Sequence, residues 1–388
     1  MDLRAASKKE EVHDRPAGRP VLAILTIEND EQLFRGNRNN FADLIRMGQN
    51  KGFLVYVLTV KSLILGRTSL QGFVYNEQKD TWQQRLLPFP DIIYNRIPLR
   101  EDEMLPAVRN KIAACMRDPR VKLFNPSFFN KWYLFEWLRD SKLTKPYIPT
   151  TRKLVTAARL ERMLQKHPFL YLKPESGKAG KGIMTLRVQP DKPLPYLLKV
   201  QENKKSSTFS CADFQKLWNR IKKECSGEPY IAQQGIQLAS FNDRRFDLRA
   251  LVQKNERGKW DLTGIGARVA GSSSITTHVP RGGSIEDPEK LLKSSFNADQ
   301  ARRILIKAKK TSIMIARQIE KGSGFMLGEM SMDLGIDSEG HIWFFEANSK
   351  PMKFDEPHIR EKSLERIFQY STYLARMRNE RVKQEAMR

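Results

Sequence analysis

The chain has 388 residues, 40% of them hydrophobic and six of them tryptophan, so it can bury two or three globular units, and its composition excludes low-complexity and collagen-like classes. Lysine and arginine number 68 against 44 acidic residues, a formal charge of +24 that favours polyanionic ligands or anionic surfaces. The basic residues are scattered, without helix-turn-helix, zinc-finger or RNP signatures, which argues against a nucleic-acid partner. Cys115, Cys211 and Cys225 lack metal-ligand spacing, and MDLRAASKKEEVHD has no apolar targeting core; a cytoplasmic protein without membrane insertion is the expectation.

In chain order, residues 1–19 read as a flexible charged tail. VLAILTI (Val21 to Ile27), FLVYVLTV (Phe53 to Val60) and DIIYNRI (Asp91 to Ile97) are strand-sized apolar runs between helix-like or turn-rich stretches, which predicts an open α/β sheet over 20–125. Glu101 to Met116 reads as one helix, Val121 to Ser127 as a strand entering a turn, and Phe129 to Asp140 as an aromatic-rich helix. Pro146 and Pro149 make Leu143 to Thr151 an extended linker. Over about 150–235 follow a helix (Ala157 to Lys166), the strand FLYLKPE, a Gly-Lys loop, a variable stretch from Gln189 to Ser210 and a helix to Cys225. Over about 236–370 come strands at Arg245 to Lys254 and Trp260 to Val269, a long helical region from Asp287 to Lys321, and strands at Ser331 to Ile336 and His341 to Glu346. A basic helix starts near Glu361, and 371–388 is set apart as a basic helix or tail.

Four segments carry chemistry. In YLKPESGKAGKGI a strand delivers Lys173 and then a loop with Ser176, Gly177, Gly180 and Gly182, where glycines let backbone N–H groups approach phosphate oxygens; the order is not that of a Walker A loop, and a solvated glycine turn is the plain alternative. In GEMSMDLGIDSEGHIWFFEANSKP, Asp333, Glu346 and Asn348 sit on two hairpin strands, Glu346 and Asn348 on one face, a hard-oxygen set suited to Mg²⁺. YIAQQGI, with Gln233, Gln234, Gly235 and Ile236, can offer backbone groups to a base edge, and Asp247 in RRFDLR can accept ribose hydroxyls or pair with an arginine. Arg268, on a strand, and Arg249 are candidates for stabilising a transferring phosphoryl group; His278 precedes a Gly-Gly turn, where a lone histidine is more often a structural hydrogen-bonder than a catalyst.

Taken in this order, the segments resemble the ATP-grasp superfamily over residues 120–370, and within it the endospore coat-associated YheC/YheD family. The resemblance implies an ATP-grasp fold of α+β lobes at 126–370, a small lobe over 150–235 and a large lobe over 236–370. It implies that Lys131 and Lys173 contact the α- and β-phosphates, that Gln233 to Ile236 form the adenine hinge, Asp247 the ribose acid and Arg268 the catalytic arginine, and that Asp333, Glu346 and Asn348 hold the metal. His278 and Gln234 depart from the pattern, where asparagine and glutamate are usual.

The expectation is therefore a Mg²⁺- and ATP-dependent carboxylate–amine ligase working through an acyl-phosphate, cytoplasmic or associated with the spore coat, with coat proteins as further partners. The alternative is a non-catalytic nucleotide-binding or structural coat protein.

Overall fold

The computed structural model describes residues 18–176, 182–201, 206–271 and 283–386, with side chains to residue 378. Its first sheet is built from β1 (Val21–Thr26), α1 (Arg38–Asn50), β4 (Leu54–Thr59), β5 (Ser69–Asn76), β6 (Thr81–Pro88), β7 (Ile92–Asn95), α2 (Arg100–Met104), α3 (Pro106–Arg117) and β8 (Lys122–Phe124), with a short pair β2 (Glu28–Asn29) and β3 (Leu33–Phe34) after β1. The order is β6-β5-β4-β1-β7-β8, with β4, β1, β7 and β8 parallel. All six residues of β1 are buried, as a central parallel strand covered on both faces requires. Val108, Ile112 and Cys115 of α3 cover one face, and Phe41, Leu44 and Ile45 of α1 cover the other.

The expected helix from Glu101 to Met116 is two helices. Pro106 has no N–H to continue α2 and instead opens α3. The hairpin β5-β6 was not expected, because most of β6 is half-buried or exposed and shows no apolar alternation.

The second sheet follows α4 (Lys131–Arg139): β9 (Thr151–Lys153), α5 (Ala157–Lys166), β10 (Phe169–Pro174), β11 (Met184–Val188), β12 (Tyr196–Gln201), β13 (Ser206–Cys211), α6 (Phe214–Cys225) and β14 (Tyr230–Gln234). It is antiparallel, ordered β13-β12-β11-β10-β14-β9. Leu160 and Met163 of α5 and Leu217 and Ile221 of α6 pack on Leu170, Leu172 and Leu186. The stretch 189–210 thus holds two strands whose half-exposed sequences hide them.

The third sheet takes β15 (Ser240–Phe241), β16 (Arg244–Lys254), β17 (Trp260–Val269) and β18 (Ser284–Glu286), then β19 (Glu329–Ile336) and β20 (Ile342–Asn348) after α7 (Pro288–Ser295) and α8 (Ala298–Ser323). Its order is β18-β17-β16-β19-β20. The helical stretch 287–321 is broken at Asn297, whose side chain caps α8 through a capping box. One face of the sheet, with Leu248, Ala250, Val252, Met330, Met332 and Leu334, packs on Ile304, Ala308, Ile315 and Ile319 of α8. The other face carries the polar residues discussed below.

The last helix, α9 (Pro357–Ala386), starts four residues before the expected Glu361 and runs on as one element through the stretch that the sequence left as helix or tail. Its Ile367, Phe368 and Leu374 complete the core of the first sheet. Among the described residues, no helix is long and apolar enough to cross a membrane.

Asn125 joins the first sheet to the third. It is fully buried at φ +56°, where Nδ2 donates to the carbonyls of Glu329 (2.8 Å) and Ser349, and Oδ1 accepts from Gly328 N (2.8 Å). Asn125→Ala leaves these groups unpaired and puts alanine, which tolerates the left-handed region less well than asparagine, at φ +56°, so it is expected to cost about 3 kcal/mol, read from the urea midpoint. A loss below about 1 kcal/mol would show that these bonds add little over water.

Candidate functional site

The polar face of the third sheet is set by register. Asp247 pairs with Arg268, Arg249 with Asp333 and Gly266, Asp333 with Glu346, and Ser331 with Asn348. Residues directly opposite share a face, and so do residues two apart, so Arg268, Asp247, Arg249, Asp333, Ser331, Glu346 and Asn348 form one surface. The strands put the three expected oxygen donors together.

Arg268 is locked in this surface. Its Nε and Nη2 donate to the two oxygens of Asp247 at 3.0 and 3.1 Å, and Nη2 reaches Asp333 Oδ2 at 2.8 Å. Burial works against the charge, but Asp247 and Asp333 outweigh it and leave the guanidinium held more firmly protonated than usual. The Asp247 carboxylate, expected to accept ribose hydroxyls, is thus engaged by Arg268 on both oxygens, the arginine ion pair that the sequence left open.

Arg249 is different. It makes no hydrogen bond or ion pair among the described residues; its Nε is buried without a partner, and its guanidinium lies 5.0 Å from the centre of the Phe354 ring. Beside it on the same face, the Ser331 hydroxyl is also buried without a partner.

The second sheet and α4 bring the lysines. Asn130 caps α4 through Trp132 N and Tyr133 N, and Lys131 N donates to Glu175 O (3.1 Å), tying the start of α4 to the end of β10. Lys131 Nζ then lies 2.8 Å from Glu346 Oε1. Lys173 Nζ donates to Gln233 Oε1 (2.6 Å) and stands 5.5 Å from the Phe345 ring centre. Burial lowers its pKa to about 8, with Glu346 pulling it back up, Lys131 pushing it further down and Asp333 also pulling it up. Lys173 therefore faces the acidic residues of the third sheet across a cleft.

Phe345 reaches this cleft through a β-bulge. The register of β19 and β20 shifts between Asp333 and Leu334, so that Leu334 pairs with Phe344 and Phe345 is the extra residue. An apolar Trp-Phe-Phe run reads as core, and the bulge lets Phe345 and Glu346, adjacent in sequence, lie together on the polar face.

At the hinge, Gln234 N and Gly235 N are committed to the carbonyls of Thr150 and Phe169. The amide of Ile236 makes no hydrogen bond among the described residues. The Gln233 side chain, between Lys173 and Thr151 Oγ1, positions the lysine. At the phosphate loop, Ser176 is an exposed turn residue, and Gly182 has φ +72° with the Tyr230 hydroxyl 2.7 Å from where a Cβ would stand. That position accepts only glycine, and Tyr230 Oη donates to its carbonyl. Gly177, Gly180 and His278 lie outside the described residues.

A lysine with a lowered folded pKa binds fewer protons than its unfolded form between about 8 and the ordinary value of about 10.4, so its penalty on folding is full below about 8 and is relieved as pH rises through that window. Lys173→Met is expected to raise the melting temperature below pH 8, with the gain shrinking towards pH 10. A gain independent of pH would contradict a buried, protonated Lys173.

The family model for YheC/D-like ATP-grasp proteins matches residues 120–374. The endospore coat-associated protein YheD of Bacillus subtilis (strain 168) is 27% identical over 369 residues, covering 92% of this chain and 79% of the relative. The D-alanine-D-alanine ligase of Coxiella burnetii superposes with a TM-score of 0.53 at 10% identity, over 96% of this chain and 98% of that one. The D-alanyl-alanine synthetase A of Vibrio cholerae superposes at 0.52 and 11% identity, over 92% and 98%. At such identities the two structures speak for the fold alone. With its three sheets in this arrangement and the family match across about two thirds of its length, the chain belongs to the YheC/D-like ATP-grasp family.

Proposed function

We propose that the chain is an ATP-dependent carboxylate–amine ligase, with the nucleotide between the small lobe (about 150–235) and the large lobe (about 236–370) and the acid facing the first lobe (20–125). The observation that carries this reading is the face bearing Asp333, Glu346 and Asn348, set opposite Lys131 and Lys173. Among the described residues, no group of three or more His, Cys, Asp and Glu could hold a metal by itself. Two carboxylates and an amide fit Mg²⁺, which keeps few protein ligands and completes its shell with phosphate and water. Asp333, Glu346 and Asn348 would hold Mg²⁺, which neutralises phosphate charge.

The chain's own groups then divide the work. Lys131, Lys173 and the loop from Ser176 to Gly182 bind the phosphates, and the Ile236 amide with the Phe345 ring suits the base. Arg249, whose side chain has no hydrogen bond or ion pair among the described residues, stabilises the phosphoryl group in transfer, while Arg268 positions Asp333. A carboxylate oxygen of the acid bonds to the γ-phosphorus as the bond to the β-phosphate oxygen breaks and ADP leaves. The amine then bonds to the acyl carbon, phosphate departs with the former carboxylate oxygen, and the amine gives up a proton. Closure of the lobes keeps water from the acyl-phosphate.

The name of the YheD relative favours a second reading, a coat component without turnover. Release of ADP and phosphate in equal amounts with pooled amino acids, peptides and small polyacids separates the two. Glu346→Gln is expected to lower ADP release by roughly 10²-fold or more in a folded protein; ADP release that survives this change would sink the assignment.

The two arginines are expected to differ. Arg249→Ala lowers kcat by roughly 10²–10³-fold with little change in stability. Arg268→Ala removes the guanidinium that neutralises buried Asp247 and Asp333 and destabilises the fold by about 3–5 kcal/mol. Equal stability losses in the two variants would remove the division of roles.

A further inference from the structure

Three cations meet where the first lobe abuts the end of β20, and among the described residues two of them are paired with a carboxylate. Arg96 pairs with Glu329 at 3.2 Å. Lys350, two residues beyond Asn348, pairs with Glu103, which also accepts from Asn95 Nδ2 and Phe128 N. Arg100, the first residue of α2, has no ion pair within 4.0 Å among the described residues.

Arg100 is nevertheless held in place. Its Nη2 donates to Phe129 O at 2.7 Å, and its guanidinium lies 5.4 Å from the centre of the Phe128 ring, which Lys350 Nζ approaches at 4.6 Å. Phe129 is two residues before Lys131, whose ammonium holds Glu346. Arg100 is half-buried: burial lowers its pKa, and Glu103, Glu346 and Glu101 pull it back up, so the cation stands in the field of one expected metal ligand, Glu346. A partly buried guanidinium presents five N–H donors, of which one is used here.

Two features point to what completes it. The fork of Arg100 matches a carboxylate in bidentate geometry, and no Arg100 nitrogen is buried without a partner, so its unused donors are open to an anion. The reacting carboxylate and the phosphates already have Lys131, Lys173, Arg249 and the oxygen face, so Arg100 is left for another negative group on the acid.

On the ligase reading above, we propose that Arg100 anchors a second carboxylate of the acid substrate, so that the site selects di- or polycarboxylic acids. Arg100 is thus a specificity residue supplied by the first lobe to chemistry performed on the third sheet. A purely structural arginine, offsetting Glu103 and Glu346, would affect stability and leave acid selectivity alone.

The first test needs no turnover. The full chain with Mg²⁺ and a non-hydrolysable ATP analogue is treated with phenylglyoxal, and modification of Arg100 is followed by peptide mass spectrometry. Succinate and glutarate are expected to slow this modification several-fold at concentrations where propionate and butyrate, at matched ionic strength, do not. Equal protection by the monocarboxylates, or no protection by any acid, overturns the proposal.

The second test uses whichever acids support ADP release. Arg100→Gln is expected to raise KM for a dicarboxylic acid roughly tenfold or more, with KM for ATP and the melting temperature nearly unchanged and partial rescue by Arg100→Lys. Unchanged KM for the acid, parallel shifts in both KM values, or activity confined to monocarboxylic acids overturns it. Protection of Arg100 by dicarboxylates without ADP release from any acid would instead count against the ligase reading and retain the anion site.

Discussion

Unlike charges on one face of the third sheet have to be paired as they leave water, and the rest of the cleft follows from how that pairing is made. Arg268 and Asp333 are each below a tenth exposed, and so is Asp247. Two carboxylates at this depth repel each other and lose hydration, and the bidentate bond of Arg268 to Asp247 with its further bond to Asp333 offsets both costs. The Arg268 charge is spent in holding Asp333 in place. The neighbouring Arg249, with no such partner, keeps its charge available to a ligand.

The other face of the same sheet makes this arrangement rigid. Met330, Met332 and Leu334 alternate with Ser331, Asp333 and Gly335, and the apolar set is closed by α8. Slipping β19 by one residue would bury Asp333 in that core and expose Leu334 to the cleft, so the hydrophobic contact with α8 fixes the register on which the site depends. The bulge at Phe345 is the one interruption, and it adds an apolar ring beside Lys173.

The lobes are joined by buried polar contacts as well as by apolar packing. Asn125, the Arg96–Glu329 pair with Tyr94 Oη, and the Lys350–Glu103 pair all connect the first sheet to β19 or to the segment after β20. Glu329 is the clearest case: burial raises its pKa, and Arg96, Tyr94 and Gln253 hold it towards the charged form. Such contacts keep α2, and with it Arg100, close to Glu346. Lys173, with its pKa lowered to about 8, stands on the other wall as a cation whose burial is unfavourable until phosphate meets it.

Much of this was legible in one dimension. Strand runs such as VLAILT and EMSMDLGI are apolar by local composition, and Glu346 and Asn348 share a face because extended chain alternates with period two, whatever lies around it. Lys173 ahead of a glycine loop, and Gly182 where φ is positive, likewise follow from local chemistry. What the tertiary structure decided is partnership: that Asp247 is engaged by Arg268, that Arg249 and Arg100 have no ion pair among the described residues, and that a bulge sets Phe345 and Glu346 side by side on the polar face. An arginine reads the same in sequence whether paired or not. Its partner is fixed by residues tens to hundreds of positions away, brought within hydrogen-bond reach only when the sheets assemble.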